Sequence, residues 1–211
     1  MKEYVKKYMD KKYKFDKLTM LGIIALIVVL SGVFGWVYEF IFYYFNSGMK
    51  EWYFRGGNFL PWINIYATGS IIICFFGFKH RKNPLKIFLI SVVATGILEF
   101  IGGWMLYEFG NGFRCWDYNT EILNFGNIEG YVCLRSVLFF GLSSLMLIYG
   151  MVPFCIWLSE KMSKKSFLIL SFSLCGLFLL DELYNLVIAR IFDLDRASDI
   201  YKKIGFKYME F

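Results

Sequence analysis

The sequence predicts an all-α fold: a polytopic integral membrane helical bundle of about five transmembrane helices behind a basic N-terminal segment. Two observations carry this. Of 211 residues, 58% are hydrophobic and 19% charged, and the mean hydropathy is +0.51. Soluble domains are about half apolar and about one-quarter charged. The excess is also not scattered: it lies in runs long enough to cross a hydrocarbon core about 30 Å thick. One transmembrane domain, residues 19–191, therefore accounts for most of the length, with residues 1–18 before it and a tail, 192–211, after it.

Residues 1–18 carry seven lysines between Lys2 and Lys17. They are too acid-interrupted for a signal peptide's leading region, and the apolar run that follows is too long for its core. The expectation is a cytoplasmic segment, lying on anionic lipid or solvated. Helix one is expected over 19–46. Leu21–Val33 is almost purely aliphatic, and Gly35 and Glu39, four apart, share a face on which a neighbour approaches closely. Helix two is expected over 61–78, with Pro61 in its first turn. Helix three is expected over 85–109. In it Ser91, Thr95, Glu99 and Gly103 recur every four residues as a small and polar stripe. Helix four is expected over 133–158 and helix five over 167–191, with Asp181 and Glu182 inside the latter. The loop 110–132 is polar and aromatic. The tail, 192–211, has mixed charge.

Three basic tracts, at the N-terminus, at Lys79–Lys86 and at Lys161–Lys165, fall on one side of such a bundle. The positive-inside rule makes that side cytoplasmic. The expected location is then the bacterial cell membrane, multi-pass, with the N-terminus cytoplasmic and the C-terminus extracytoplasmic. The tail, with Arg190, Arg196, Lys202, Lys203 and Lys207, dissents. The net charge of +6 does not argue for nucleic acid, because the cations flank apolar runs as topology determinants do. The single histidine, His80, and the lack of CxxC spacing argue against a metal site, and no cofactor is expected. Cys115 and Cys133 both fall near the outer loop, where a disulfide between them is an open alternative.

That topology places Glu39, Glu99, Arg135, Asp181 and Glu182 in the outer half of the membrane. Glu99 is about 20 Å along its helix at 1.5 Å per residue. Arg55, Arg114 and Asp117 lie in loops above them. A charge near mid-bilayer costs several kcal/mol unless paired or hydrated. The expectation is an outward-facing crevice with Glu99 and Arg135 at its floor and the 110–132 loop as lid. The plain alternative is a set of interhelical salt bridges without a ligand. The expected ligand-binding residues are Glu39, Arg55, Tyr66, Glu99, Arg114, Trp116, Asp117, Asn127, Arg135, Asp181 and Glu182. Glu99 and Asp117 are the candidates for a catalytic base.

Several motifs carry a family likeness across residues 32–142. They are G-W-x-Y-E at Gly35–Glu39, Arg55-Gly56 with Pro61, and Y-x-x-G at Tyr66–Gly69. Leu98-Glu99 and Glu108 follow, then R-x-W-D-Y at Arg114–Tyr118, N-I-x-G-x-x-C-L at Asn127–Leu134, and Ser136. On these the chain resembles the bacterial CmpB-like permeases, a membrane family of ABC-transporter type IV. The resemblance implies a permease-like membrane protein.

Three functions compete. A permease component would bind a small polar or anionic solute. It would need a homo-oligomer or a separate ATPase subunit, since no GxxxxGK[ST] phosphate loop is present. An intramembrane enzyme would act on a lipid or lipid-linked headgroup, with Arg114 and Arg135 holding phosphate. A non-catalytic sensor or assembly subunit would use the same charges as structural ties.

Overall fold

In the computed structural model, residues 8, 10, 11, 13–46, 51–114, 116–121 and 123–208 are described. The described chain is helical: α1 (Lys17–Asn46), α2 (Asn64–Gly77), α3 (Pro84–Phe109), α4 (Leu134–Lys161), α5 (Lys164–Ile191) and α6 (Ala197–Lys203). Four of these, α1, α3, α4 and α5, are long and apolar enough to cross a membrane. The all-α membrane bundle expected from the sequence is thus what forms. The chain divides into two compact units. One comprises Met1–Asp16, Gly69–Trp157 and Phe211, and the other comprises Lys17–Thr68 and Leu158–Glu210.

In the second unit α1 packs along α5. Val28 and Val29 of α1, Trp62 and Ala67 at the start of α2, and Phe178 of α5 form its apolar core. Trp62 is thereby a core residue. Helix α2 starts at Asn64, three residues later than Pro61 suggests. The cause is tertiary. Residues 52–63 descend along the second half of α1 as irregular chain. Trp52 stacks on Tyr44 and Phe40, Phe54 leans on Phe40 and Trp36, and the Ile63 N–H donates to Gly32 O at 3.0 Å. Gly32 lies about 22 Å along α1, and the 14 residues of α2 then advance about 21 Å more. The crossing expected over 61–78 is therefore about half extended chain and half helix. Irregular backbone survives at membrane depth only when its polar groups are satisfied by protein. Here Phe59 and Leu60 N–H donate to Asp181, Phe54 N–H to Lys207 O, Gly57 N–H to the Tyr208 hydroxyl and Trp62 N–H to Leu60 O.

This descent requires Gly35. A Cβ there would sit 2.1 Å from the Tyr66 ring, so only glycine lets α2 begin against α1. The tail is fastened to the same loop: Lys207 pairs with Glu51 at 2.7 Å, and the Tyr201 hydroxyl donates to Phe59 O at 2.6 Å. The basic tail therefore shares a side with the 51–60 segment, whatever its charge suggests.

In the first unit α3 packs on α4. The predicted stripe is buried in full: Ser91, Thr95, Glu99 and Gly103 all face inward. Asn83 caps α3 through Lys86 N–H, with Pro84 in the first turn, as helix starts favour. A π turn at Leu147–Met151 interrupts α4 just ahead of Pro153, whose ring nitrogen cannot close the α-helical bond to Tyr149 O. Arg81 donates to Lys11 O at 3.0 Å and Lys82 pairs with Asp10, so the N-terminal segment and the 79–86 turn share a side. The other residues of the 1–18 segment, except 8 and 13–18, lie outside the described set. So does Cys115. Cys133 is a buried free thiol.

Candidate functional site

Of the eleven residues expected to bind a ligand, five belong to the second unit and six to the first. In the second unit, Arg55 is brought down beside α1 by the irregular segment. Its Nε donates to Glu39 Oε2 at 3.0 Å, and its guanidinium lies 3.5 Å from the Tyr43 ring centroid. Tyr66 donates its hydroxyl to the other Glu39 oxygen at 3.2 Å. Glu39, Arg55 and Tyr66 thus form one ion-paired cluster. Asp181 and Glu182 sit on α5 without a cation among their described partners. Glu182 accepts from Asn58 Nδ2 at 2.7 Å and Asn64 Nδ2 at 3.3 Å. Asp181 accepts from the backbone of Phe59 at 3.0 Å and Leu60 at 2.9 Å, and from Asn185 Nδ2 at 2.8 Å. Asn185 also takes Asp181 O at 3.0 Å. That carbonyl is the one its own N–H would use in an α-helix, and the ladder opens into a π turn over Tyr184–Ile188. π turns of this kind recur at functional positions.

In the first unit, Glu99 projects from α3 and is 2% exposed. Its oxygens are held by hydroxyls: Tyr118 at 2.6 Å on Oε1 and Ser136 at 2.7 Å on Oε2. Arg135, the expected companion of Glu99, pairs instead with Glu121 and lies over the Tyr118 ring, 5.5 Å from its centroid. Tyr118 belongs to the loop, and burial pushes its phenol well above the ordinary value. It therefore stays a donor at physiological pH.

The loop is built around Asp117. Its Oδ1 accepts from Asn119 N–H at 3.0 Å and Asn119 Nδ2 at 2.9 Å, with Arg114 further off at 3.5 Å. This is the Asx-type arrangement by which Asp closes a turn on its own backbone. Asn127 accepts from Gly130 N–H and donates to Asn119, both at 2.8 Å. Gly130 has φ +80°, and a Cβ there would meet Asp117 Oδ1 at 2.4 Å, so this turn excludes any side chain. Trp116 donates to Tyr131 O at 2.8 Å. Arg114 lies over the rings of both Tyr107 and Tyr131, 4.8 Å from each centroid, and donates to Glu129 O at 3.1 Å.

Reasoning from the sequence placed the acids and arginines but passed over several of their partners as site residues. Tyr118, Ser136, Glu121 and Asn58 are the groups that hold Glu99, Arg135 and Glu182. Tyr118 and Ser136 were visible at the ends of the R-x-W-D-Y and C-L-x-S strings. Nothing local marked Glu121 or Asn58. No group of three or more metal-ligating side chains occurs among the described residues.

Four apolar crossing helices, with ionisable side chains buried along them, define a multi-pass membrane protein in contact with the lipid bilayer. The profile of a family described as "Putative ABC-transporter type IV", of CmpB type, matches residues 25–186, and the chain belongs to that family. No curated protein and no solved structure matches the chain.

Proposed function

We propose that this protein is the membrane-embedded, permease-like component of a transport system that binds a small polar or anionic solute on the side bearing the 110–132 loop. Its family supports the permease reading. The observation that carries solute binding is Arg114. Its guanidinium is fixed by two tyrosine faces and a backbone carbonyl. Its side chain is 23% exposed, and its acid neighbour at 3.5 Å is already occupied by Asn119. A preorganised guanidinium with a loosely held counter-charge is suited to a carboxylate or phosphoryl group. Energy would come from a separate ATPase subunit, as no phosphate loop occurs in the sequence. The charge bias supports a cytoplasmic N-terminal segment and 79–86 turn, and their mutual contacts support a shared side for the two.

A catalytic role for Glu99 or Asp117 finds less support. Glu99 is closed under hydroxyls, and the Oδ1 of Asp117 is engaged in its own turn. The test is calorimetric titration of the purified full chain in nanodiscs with inorganic phosphate, sulfate and glutamate. Saturable binding of one of them, weakened tenfold or more in Arg114→Gln and kept within a few-fold in Arg114→Lys, supports the reading. Equal behaviour of wild type and Arg114→Gln rejects it.

A further inference from the structure

We infer that the Glu99 carboxyl is a proton-binding site whose occupancy decides which acceptor the Ser136 hydroxyl serves. The argument is a proton count. Three short oxygen–oxygen contacts meet here: Tyr118 Oη to Glu99 Oε1 at 2.6 Å, Ser136 Oγ to Glu99 Oε2 at 2.7 Å, and Ser136 Oγ to the Cys133 carbonyl at 2.8 Å. Each requires a hydrogen between its oxygens. Tyrosine and serine hydroxyls supply one each, and a carbonyl or carboxylate supplies none. With two hydrogens, Ser136 would have to split one between two acceptors in a weaker three-centre bond; a third hydrogen gives each short contact its own. The third belongs to Glu99, which as a neutral acid donates from Oε2 to Ser136 Oγ while Ser136 donates to Cys133 O. Burial keeps the Tyr118 phenol protonated, so the extra hydrogen cannot be explained by moving that one.

The surroundings agree. No lysine, arginine or histidine makes a described bond to Glu99. The charged groups nearby are Glu121 of the loop and Arg135 of α4, and these pair with each other. The remaining neighbours are Tyr118, Ser136 and the Cys133 backbone. A neutral acid suits this position, because an uncompensated carboxylate inside a crossing helix is costly.

The site also has a second state ready. When the proton leaves, Ser136 turns its hydrogen to Glu99 Oε2. The Cys133 carbonyl still accepts from Val137 N–H at 3.2 Å, so no buried group is orphaned. The charged Glu99 then competes with Glu121 for the field of Arg135, one residue from Ser136 in the first turn of α4. A proton on α3 is thereby linked to the arginine on α4. This inference stands on the α3–α4 contacts and does not depend on which solute the chain binds.

The experiment is infrared spectroscopy of the full-length protein in lipid nanodiscs at neutral pH, in H2O and in D2O, for wild type, Glu99→Gln and Ser136→Ala. The expected result is a carboxylic-acid carbonyl band that moves on deuteration, is lost in Glu99→Gln, and shifts to higher frequency in Ser136→Ala as one hydrogen bond disappears. If Glu99→Gln removes carboxylate-stretch intensity and leaves the acid band intact, Glu99 is ionised and the inference fails. Should Glu99→Gln not fold, Ser136→Ala decides alone, and an unmoved acid band overturns the proposal.

Discussion

Glu39 and Glu99 are both carboxylates on membrane-crossing helices, and the two units satisfy them by different means. Glu39 has a guanidinium against it, a tyrosine hydroxyl on its second oxygen, and the Tyr43 ring covering the cation. Glu99 has two hydroxyls and, among the described residues, no bonded cation. The first arrangement suits a fixed pair of charges. The second tolerates either protonation state, since hydroxyls both give and accept. The difference teaches that burial alone does not say what a carboxylate does in a membrane. The donors around it do.

The sharpest way to break this comparison is to make the same change on both sides. Glu39→Gln removes the described carboxylate partner of buried Arg55. Removing one partner of a buried ion pair costs about 3–5 kcal/mol. A large fall in the thermal midpoint or in folded yield is expected, with recovery in Glu39→Gln/Arg55→Met. Glu99→Gln should do little. A glutamine carbonyl accepts from Tyr118, and its NH2 donates to Ser136 Oγ as the neutral acid does, so the loss should stay below about 1 kcal/mol. Equal losses in the two variants would overturn the neutral-acid reading of Glu99.

Next in size is the packing that sets the descent of residues 52–63. Gly35→Ala puts a methyl group into the Tyr66 ring. Overpacking of this kind costs about 1–3 kcal/mol, and here it also displaces the hydroxyl held by Glu39. Gly176→Ala, where a Cβ meets nothing within 4 Å, is the control and should be neutral or slightly stabilising. Differential scanning fluorimetry of the two variants in one detergent reads the contrast.

These two regions also show what a sequence makes legible. The stripe Ser91, Thr95, Glu99, Gly103 could be read because helical period fixes which residues share a face, and all four are buried. The Gly35–Glu39 face was readable for the same reason. The start of α2 was not. Residues 61–78 form one apolar run, and only the bond from Ile63 to Gly32 O, made across the chain, moves the helix start to Asn64. The partners of the acids were hidden likewise. Tyr118 and Asn58 come from irregular segments, where no period relates a residue to the helix it will meet. Arg135 and Glu99 were expected together because both are charged and at similar depth. Glu121, in the loop, took the arginine.

A smaller effect tests the hydroxyl clasp itself. Tyr118→Phe removes the donor to Glu99 Oε1 and keeps the ring under Arg135. A neutral acid losing one hydrogen bond costs about 1 kcal/mol, whereas a buried carboxylate losing one costs about 1.5–3 kcal/mol. A thermal shift at the lower figure keeps Glu99 distinct from Glu39, and one at the upper figure erases the distinction.

The smallest effect concerns charges that differ from Glu39 and Glu99 by lying in water. Glu51 is held below the ordinary carboxylate value, first by its hydrogen bond from Lys207 and then by that from Tyr53, and Lys207 is raised by the same bond to Glu51. For Glu51 the stabilisation is present above the unfolded-state carboxylate value and is lost as pH falls through the depressed folded value. For Lys207 it is present below the unfolded-state ammonium value and is lost as pH rises through the raised one. The clasp between tail and loop should therefore hold across neutral pH and loosen at both extremes. Exposed pairs are weak and screened by salt, so proteolysis of the tail after Lys202 or Lys203 should quicken only modestly in acid or in molar salt. Glu51→Gln should remove that acid and salt dependence while leaving the Tyr201 and Phe54 contacts to hold the tail. A tail released completely by Glu51→Gln would show that the exposed charges, not the aromatic packing, fasten it.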